Sequence, residues 1–285
     1  MKEITILSGK GGTGKTTISA ALASLAKNSV FCDNDVDAAD LHLILNPQII
    51  KKEIFKSGWI LEINDNCINC GLCYQYCKFD AIKQSQGRYT IDSLNCEGCK
   101  LCQKVCKNNA IDSKINSNNF WFVSETRFGS MVHAKMGPGE ENSGRLVSCI
   151  RQAAKEIAKK NNNAYVINDG PPGIGCTAIS SITGTNHVLL IIEPSLSGLH
   201  DAKRLVDLAS NFSLTISAVI NKYDINLEIT KEVINFLEDK NIPLVGKIPF
   251  DIEMVKAMID KKTIIEYNEN SESSNVIKLI WDSLK

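Results

Sequence analysis

The sequence carries no excess of charge of either sign: 32 lysines and arginines face 32 aspartates and glutamates in 285 residues. A chain built to coat nucleic acid or an anionic membrane needs a cationic surplus, so no nucleic-acid partner is expected. No apolar run approaches the ~20 residues that span a bilayer. The first residues, MKEITILSG, lead into a strand and not through a signal peptide. Scattered cysteines of the kind that staple exported domains are also lacking. Of 11 cysteines, eight fall between positions 67 and 106 at metal-ligand intervals. A cytoplasmic location is expected.

Outside residues 61–114 the chain alternates between short apolar runs and helix-length amphipathic stretches. The runs are 4–7, 30–32, 165–167, 188–192 and 216–220; the stretches are 16–27, 145–160, 199–211 and 227–240. Apolar strands without polar alternation, separated by helices, predict an α/β fold with a doubly wound, mostly parallel sheet covered on both faces. Its functional loops belong at the carboxyl ends of the strands. Residues 276, 277, 280, 281 and 284 form an apolar helical stripe, read as a cap on the core. His133 and His200 have no ligand partner at useful spacing and are read as surface or loop residues.

The remaining segment repeats itself. Cys67, Cys70, Cys73, Cys77, Ala81 and Ile82 recur 29 positions later as Cys96, Cys99, Cys102, Cys106, Ala110 and Ile111. The expected organisation is a discontinuous α/β domain, 1–60 and 115–285, interrupted by a repeated metal module at 61–114. Of the other cysteines, Cys32 and Cys149 read as small packing hydrophobes.

Gly9-x4-Gly14-Lys15-Thr16 follows an apolar strand and opens a helix. Glycines free backbone N–H groups to converge on phosphate oxygens, and a helix N-terminus adds partial positive charge. Gly9, Lys10, Gly11, Gly12, Thr13, Gly14, Lys15, Thr16 and Thr17 are therefore assigned to ATP or ADP. Lys15 is expected on the β- and γ-phosphates, and the Thr16 hydroxyl on Mg2+.

With its early second lysine, Lys10, the loop KGGTGKTT resembles the deviant P-loop of the MinD/ParA family, which includes the nitrogenase iron protein. The resemblance implies an ATPase, slow without a partner, in which Lys10 reaches across a dimer to the partner's nucleotide. It also implies that Asp37, in FCDNDVDAADLHLIL, orients the attacking water, with Asp35 near magnesium. Asp40 receives no role. In VINDGPPGIG, Asp169 would hold magnesium through water and Gly173 would bond the γ-phosphate. In INKYD, Asn221 would meet adenine; Pro249, in IPFD, would lie in the loop closing over it.

C-x2-C-x2-C-x3-C, twice, is similar to the spacing of bacterial two-cluster ferredoxins. Zinc sites more often show paired C-x2-C units separated by a longer gap. That similarity implies two 4Fe–4S clusters with crossed ligands: Cys67, Cys70, Cys73 and Cys106 for one, Cys96, Cys99, Cys102 and Cys77 for the other. Lys78 and Lys107 stand where such proteins usually have proline. The fold implied for 61–114 is an inserted, bacterial-ferredoxin-like α+β domain.

The whole chain, including GPGEENSGRLV at 137–147, resembles MinD-superfamily P-loop ATPases with an inserted ferredoxin domain. Three functions are open. Nucleotide state gates electron transfer through the clusters to a redox partner protein; or the protein is an ATP-dependent carrier or maturation factor for iron–sulfur or metal cofactors; or it is a positioning ATPase with structural or redox-sensing clusters. Eight cysteines in crossed sets and neutral charge favour the first. The expected assembly is a nucleotide-dependent homodimer, or a heterodimer with a paralogue.

Overall fold

The computed structural model describes residues 1–56, 58–137 and 143–285. Of the segment 137–147 quoted above, residues 138–142 lie outside the described residues. The chain forms two compact units: Met1–Lys52 with Phe122–Ala134 and Gly144–Lys285, and Glu53–Trp121 with Lys135–Ser143.

In chain order the strands are β1 (Lys2–Ser8), β2 (Ser29–Asp33), β3 (Gln48–Phe55), β4 (Trp59–Ile63), β5 (Ile82–Ser85), β6 (Arg88–Ile91), β7 (Ile111–Ile115), β8 (Asn119–Thr126), β9 (Gly129–Lys135), β10 (Tyr165–Pro172), β11 (His187–Ile192), β12 (Thr215–Asn221) and β13 (Leu244–Ile248). The helices are α1 (Lys15–Leu25), α2 (Leu41–Leu45), α3 (Leu72–Tyr76), α4 (Leu101–Val105), α5 (Ser143–Lys160), α6 (Cys176–Ile182), α7 (Leu196–Ala209), α8 (Leu227–Asp239), α9 (Ile252–Ile259), α10 (Ile264–Tyr267) and α11 (Glu272–Leu284).

Nine strands make one sheet in the order β13-β12-β11-β1-β10-β2-β9-β8-β3. From β13 to β9 each neighbouring pair is parallel. The chain builds one side through β2 and β10, then crosses β1 to build β11, β12 and β13. Strand β1 therefore lies at the reversal of order, where a crevice opens beyond the strand ends.

The unalternating apolar strands are explained by two cores. Ile4 and Ile6 of β1, Leu189 and Ile191 of β11 and Val219 of β12 pack with Ile18 and Leu22 of α1. Their sequence neighbours Leu7, Leu190, Ile192, Ala218 and Ile220 pack with Leu205 of α7 and Val233 of α8. Successive side chains of a strand point to opposite faces, so a strand buried on both must be apolar throughout. The terminal stripe joins the first core through Ile277, Ile280, Trp281 and Leu284 of α11.

Four strands of the nine-stranded sheet, β3, β8, β9 and β13, were not evident from the sequence. In β3 the run QIIKKEIF leaves Ile49, Ile50 and Ile54 exposed at the sheet edge, so its pattern has neither a buried run nor clean alternation. Strand β9 corrects the reading of His133. That ring is buried and stacks on Phe122 and His42, with its Nε2 3.0 Å from the Ser124 hydroxyl.

In the second unit β4 pairs antiparallel with β7, and β5 with β6. The 29-residue repeat is preserved in the backbone. Positive φ recurs at Asn69 and Gly98 (55° and 62°), Gly71 and Lys100 (74° and 64°), and Asp80 and Asn109 (50° and 51°). Glycine, asparagine and aspartate tolerate that region readily. Lys100 does not, and its ammonium lies 3.2 Å from the centre of the Trp59 ring. The left-handed residues Gly71 and Lys100 start α3 and α4, and Cys77 and Cys106 end them.

Candidate nucleotide site and cysteine cavities

At the carboxyl end of β1 the loop 9–14 wraps the start of α1 beside a cavity of about 440 Å³. Gly12 and Gly14 take φ of 79° and 87°. Gly14 stands at the N-cap and offers no side chain, so the first N–H groups of α1 are free of a side-chain cap. A Cβ at Gly9 would collide with Asp201, and one at Gly14 with the Asn221 amide. These are close approaches that require glycine. The lining includes Lys10, Gly11, Gly12, Thr13, Gly14, Lys15, Thr16, Thr17, Asp35, Asn221 and Pro249.

Lys15 is 6% exposed and is surrounded by carboxylates. Its ammonium lies 3.0 Å from Asp169 Oδ1 and 4.0 Å from Asp35 Oδ2, and donates to Thr16 Oγ1 at 3.4 Å. Burial pulls its pKa down, but Asp169, Asp33 and Asp35 outweigh that, so the net shift is upward. Asp169, inside β10, also accepts from Ser19 Oγ at 2.8 Å, while its other oxygen is buried without a partner. It lies behind Lys15 and is not part of the cavity lining. Burial, opposed by Lys15 and reinforced by Asp169, pushes Asp35 up to about 6.

Asp37 is exposed and lies outside the lining, with its pKa raised by partial burial. Ala38 and Asp40 of the same loop do line the cavity. Gly173 is also outside it; its φ is 81° and its N–H donates to the Ser8 carbonyl at 3.0 Å. Asn221 ends β12, where its Nδ2 donates to the Thr13 carbonyl at 2.7 Å, bracing the loop. Its Oδ1 and Thr13 Oγ1 are buried without partners. Lys10 donates to Ser195 Oγ at 3.1 Å and lies 3.8 Å from Glu193.

Sequence reasoning missed Asp33 and Lys222. Asp33 is fully buried at the end of β2 and accepts from the N–H groups of Asp35 and Leu41, so one carboxylate shapes the 33–41 loop. Burial first, then the charge of Asp169, raises its pKa well above the carboxylate range. The signal was an aspartate closing a wholly apolar strand, hidden among three aspartates in DNDVD. Lys222 donates to the Gly12 carbonyl at 3.1 Å.

In the second unit the cysteines line two cavities. One, of about 250 Å³, takes Cys67, Cys70, Cys73 and Cys106 with Ile63, Tyr89 and Lys107. The other, of about 30 Å³, takes Cys77, Cys96, Cys99 and Cys102 with Leu61, Lys78 and Lys100. In each case three cysteines of one run meet the fourth of the other. Cys73 and Cys102 are buried with Leu61, Ile82 and Ile111, and burial pushes the Cys102 thiol up to about 11. Among the described residues no three His, Cys, Asp or Glu side chains are grouped to hold a single metal ion. No described helix is long and apolar enough to cross a membrane. Of the other cysteines, Cys32 is buried in β2, Cys149 half-buried on α5 and Cys176 exposed.

Residues 4–264 match the CobQ/CobB/MinD/ParA nucleotide binding domain. The chain belongs to that family and is a P-loop ATPase of MinD/ParA type. An uncharacterized protein of Methanocaldococcus jannaschii is 35% identical over 99% of this chain and 96% of its own length. The septum site-determining protein MinD of Buchnera aphidicola subsp. Acyrthosiphon pisum is 24% identical over 94% of this chain and 86% of its own. In fold, the chain is similar to septum site-determining MinD from Pyrococcus horikoshii, solved with Mg-ADP. The TM-score is 0.60 at 18% identity, covering 100% of this chain and 96% of that one.

Proposed function

We propose that the protein binds Mg-ATP in the cavity beside the 9–17 loop, hydrolyses it slowly, and uses nucleotide occupancy as an association switch of the MinD/ParA kind. The observation that carries this is the set of unpaired groups at the cavity: uncapped N–H groups at the start of α1, with buried orphan oxygens on Thr13 and Asn221 of the lining and another on Asp169 behind Lys15. Phosphate and a hydrated divalent cation are the partners such donors and acceptors lack. Lys15 would take the phosphate charge and Lys10 that of a partner's nucleotide. Thr16, Asp35 and, through water, Asp169 would hold magnesium. Asp37 would need the loop to close before it could position water; Gly173 would donate to the γ-phosphate and Pro249 would lie over the base. Phosphoryl transfer to water depends mainly on positioning and charge neutralisation, which this set supplies.

For residues 61–114 we propose a ferredoxin-like module with two 4Fe–4S clusters. The two crossed cysteine quartets support it, because each lines a cavity of its own and, among the described residues, none converges on a single ion. Bound clusters would supply one-electron chemistry, and the thiol protons would be displaced on loading. Relatives with a stated role include septum site-determining proteins, so the positioning-type switch has more behind it than the electron relay that the cysteine sets and neutral charge favour. The relay stays as the second reading because the cysteine quartets favour it, with a redox partner protein required.

Iron counting tests the crossing. Cys77→Ser with Cys96→Ser should cost about half the iron, since both belong to one quartet; uncrossed ligation would lose nearly all of it. Lys15→Ala should abolish ATP turnover while leaving the cluster absorbance intact. Retained turnover removes the assignment of this cavity.

A further inference from the structure

Glu193 closes the segment after β11 and is placed between two cations of the cavity rim. Its Oε2 lies 3.8 Å from Lys10 Nζ and 3.7 Å from Lys222 Nζ. Neither lysine is held by Glu193 alone. Lys10 also donates to Ser195 Oγ at 3.1 Å, with Ser197 Oγ at 3.5 Å, and Lys222 donates to the Gly12 carbonyl at 3.1 Å. Both lysines line the cavity, and Gly12 belongs to the loop assigned to phosphate. Glu193 does not itself line the cavity; it is 21% exposed, so little solvent screens it from the two ammoniums that do.

We infer that Glu193 is a resident counter-anion, a positioning residue that occupies Lys10 and Lys222 until a polyphosphate displaces it. This rests on the nucleotide reading of the cavity. A carboxylate between two ammoniums lowers the energy of the empty site. It opposes the filled one, because the phosphate charges, the partner's at Lys10 where two copies associate, must compete for these cations and repel the carboxylate. The backbone of the segment is fixed separately: the Ser195 N–H donates to the Glu193 carbonyl, and Ser195 Oγ caps α7 by accepting from Gly198 N–H. The side-chain charge can therefore be removed without undoing the turn. The ligand class that feels Glu193 is accordingly the polyphosphate, and the base and ribose do not.

The test compares Glu193→Gln with the wild-type full chain by titration calorimetry against ATP, ADP and adenosine, at low and at raised salt. Partly exposed pairs are each worth a fraction of a kcal/mol, and two are released together, so ATP should bind about three- to tenfold tighter. ADP should gain less, adenosine should be unchanged, and the salt dependence of ATP binding should alter. Glu193→Asp, which withdraws the charge without removing it, should fall between the two. Melting of each variant without nucleotide reports the fold. Wild-type protein that binds no nucleotide would overturn the reading of the cavity. Wild-type binding with no gain, or with an equal gain for adenosine, would overturn the role of Glu193 alone.

Discussion

Lys15 and the three carboxylates around it decide most of what the site does at the scale of single residues. With Lys15 removed, Asp169, Asp33 and Asp35 face one another in a buried pocket without a cation. Lys15→Ala should therefore lose about 3–5 kcal/mol near neutral pH as well as turnover. The loss should shrink towards pH 5, because protons on the carboxylates replace the missing charge; thermal melts across pH would show it. Asp35 titrates near 6 in the fold against about 3.9 unfolded. Its folded pKa is raised, so its protonated form favours the fold below the unfolded value, and that contribution disappears as pH rises through 6. If Asp35 holds magnesium as proposed, the ion needs its carboxylate form, so Mg2+-dependent nucleotide binding should weaken below about pH 6. Asp35→Asn should bind weakly and lose that pH step, as read by fluorescent nucleotide titration. At this scale the turn of the glycine-lysine loop was legible, since its backbone conformation and close approaches require glycine. Asp33 and Glu193 were not, because what they touch comes from remote stretches of chain.

Among the elements, α11 carries the sharpest expectation. Ile280 is fully buried against the sheet, whereas Leu279 next to it is 66% exposed. Ile280→Ala should cost about 2–5 kcal/mol and Leu279→Ala close to nothing, measured by denaturant unfolding. The helical stripe at 276–284 announced this in the sequence, and the amphipathic stretches 145–160, 199–211 and 227–240 announced α5, α7 and α8, though not their ends. Edge and peripheral strands announced little. QIIKKEIF in β3 keeps most of its side chains in solvent, so no burial pattern is imposed on its sequence. Repetition was the most informative signal of all: six residues recurring at an offset of 29 are matched by three pairs of left-handed backbone positions at the same offset.

For the whole molecule the open question is what the nucleotide controls. If the protein is an association switch, ATP should shift it from monomer to dimer while ADP does not, and Lys15→Ala should stay monomeric in light scattering. If it also gates electrons, ATP should move at least one cluster potential in anaerobic EPR titrations. Dimerisation with both potentials unmoved would leave the switch and discard the relay. Composition was a poor guide here. Net charge is a sum over the chain and cannot rank a positioning ATPase against a relay.

The amino-acid sequence by itself determined the phosphate loop, the parallel α/β architecture and the cysteine repeat. Each is a local pattern whose chemistry needs fixed residue types at fixed intervals. Tertiary structure alone decided which side chains share a charge: Asp33 and Asp169 beside Lys15, and Glu193 between Lys10 and Lys222. Those pairings join residues far apart in the chain, and spacing cannot encode them because Coulomb energy depends on distance through space.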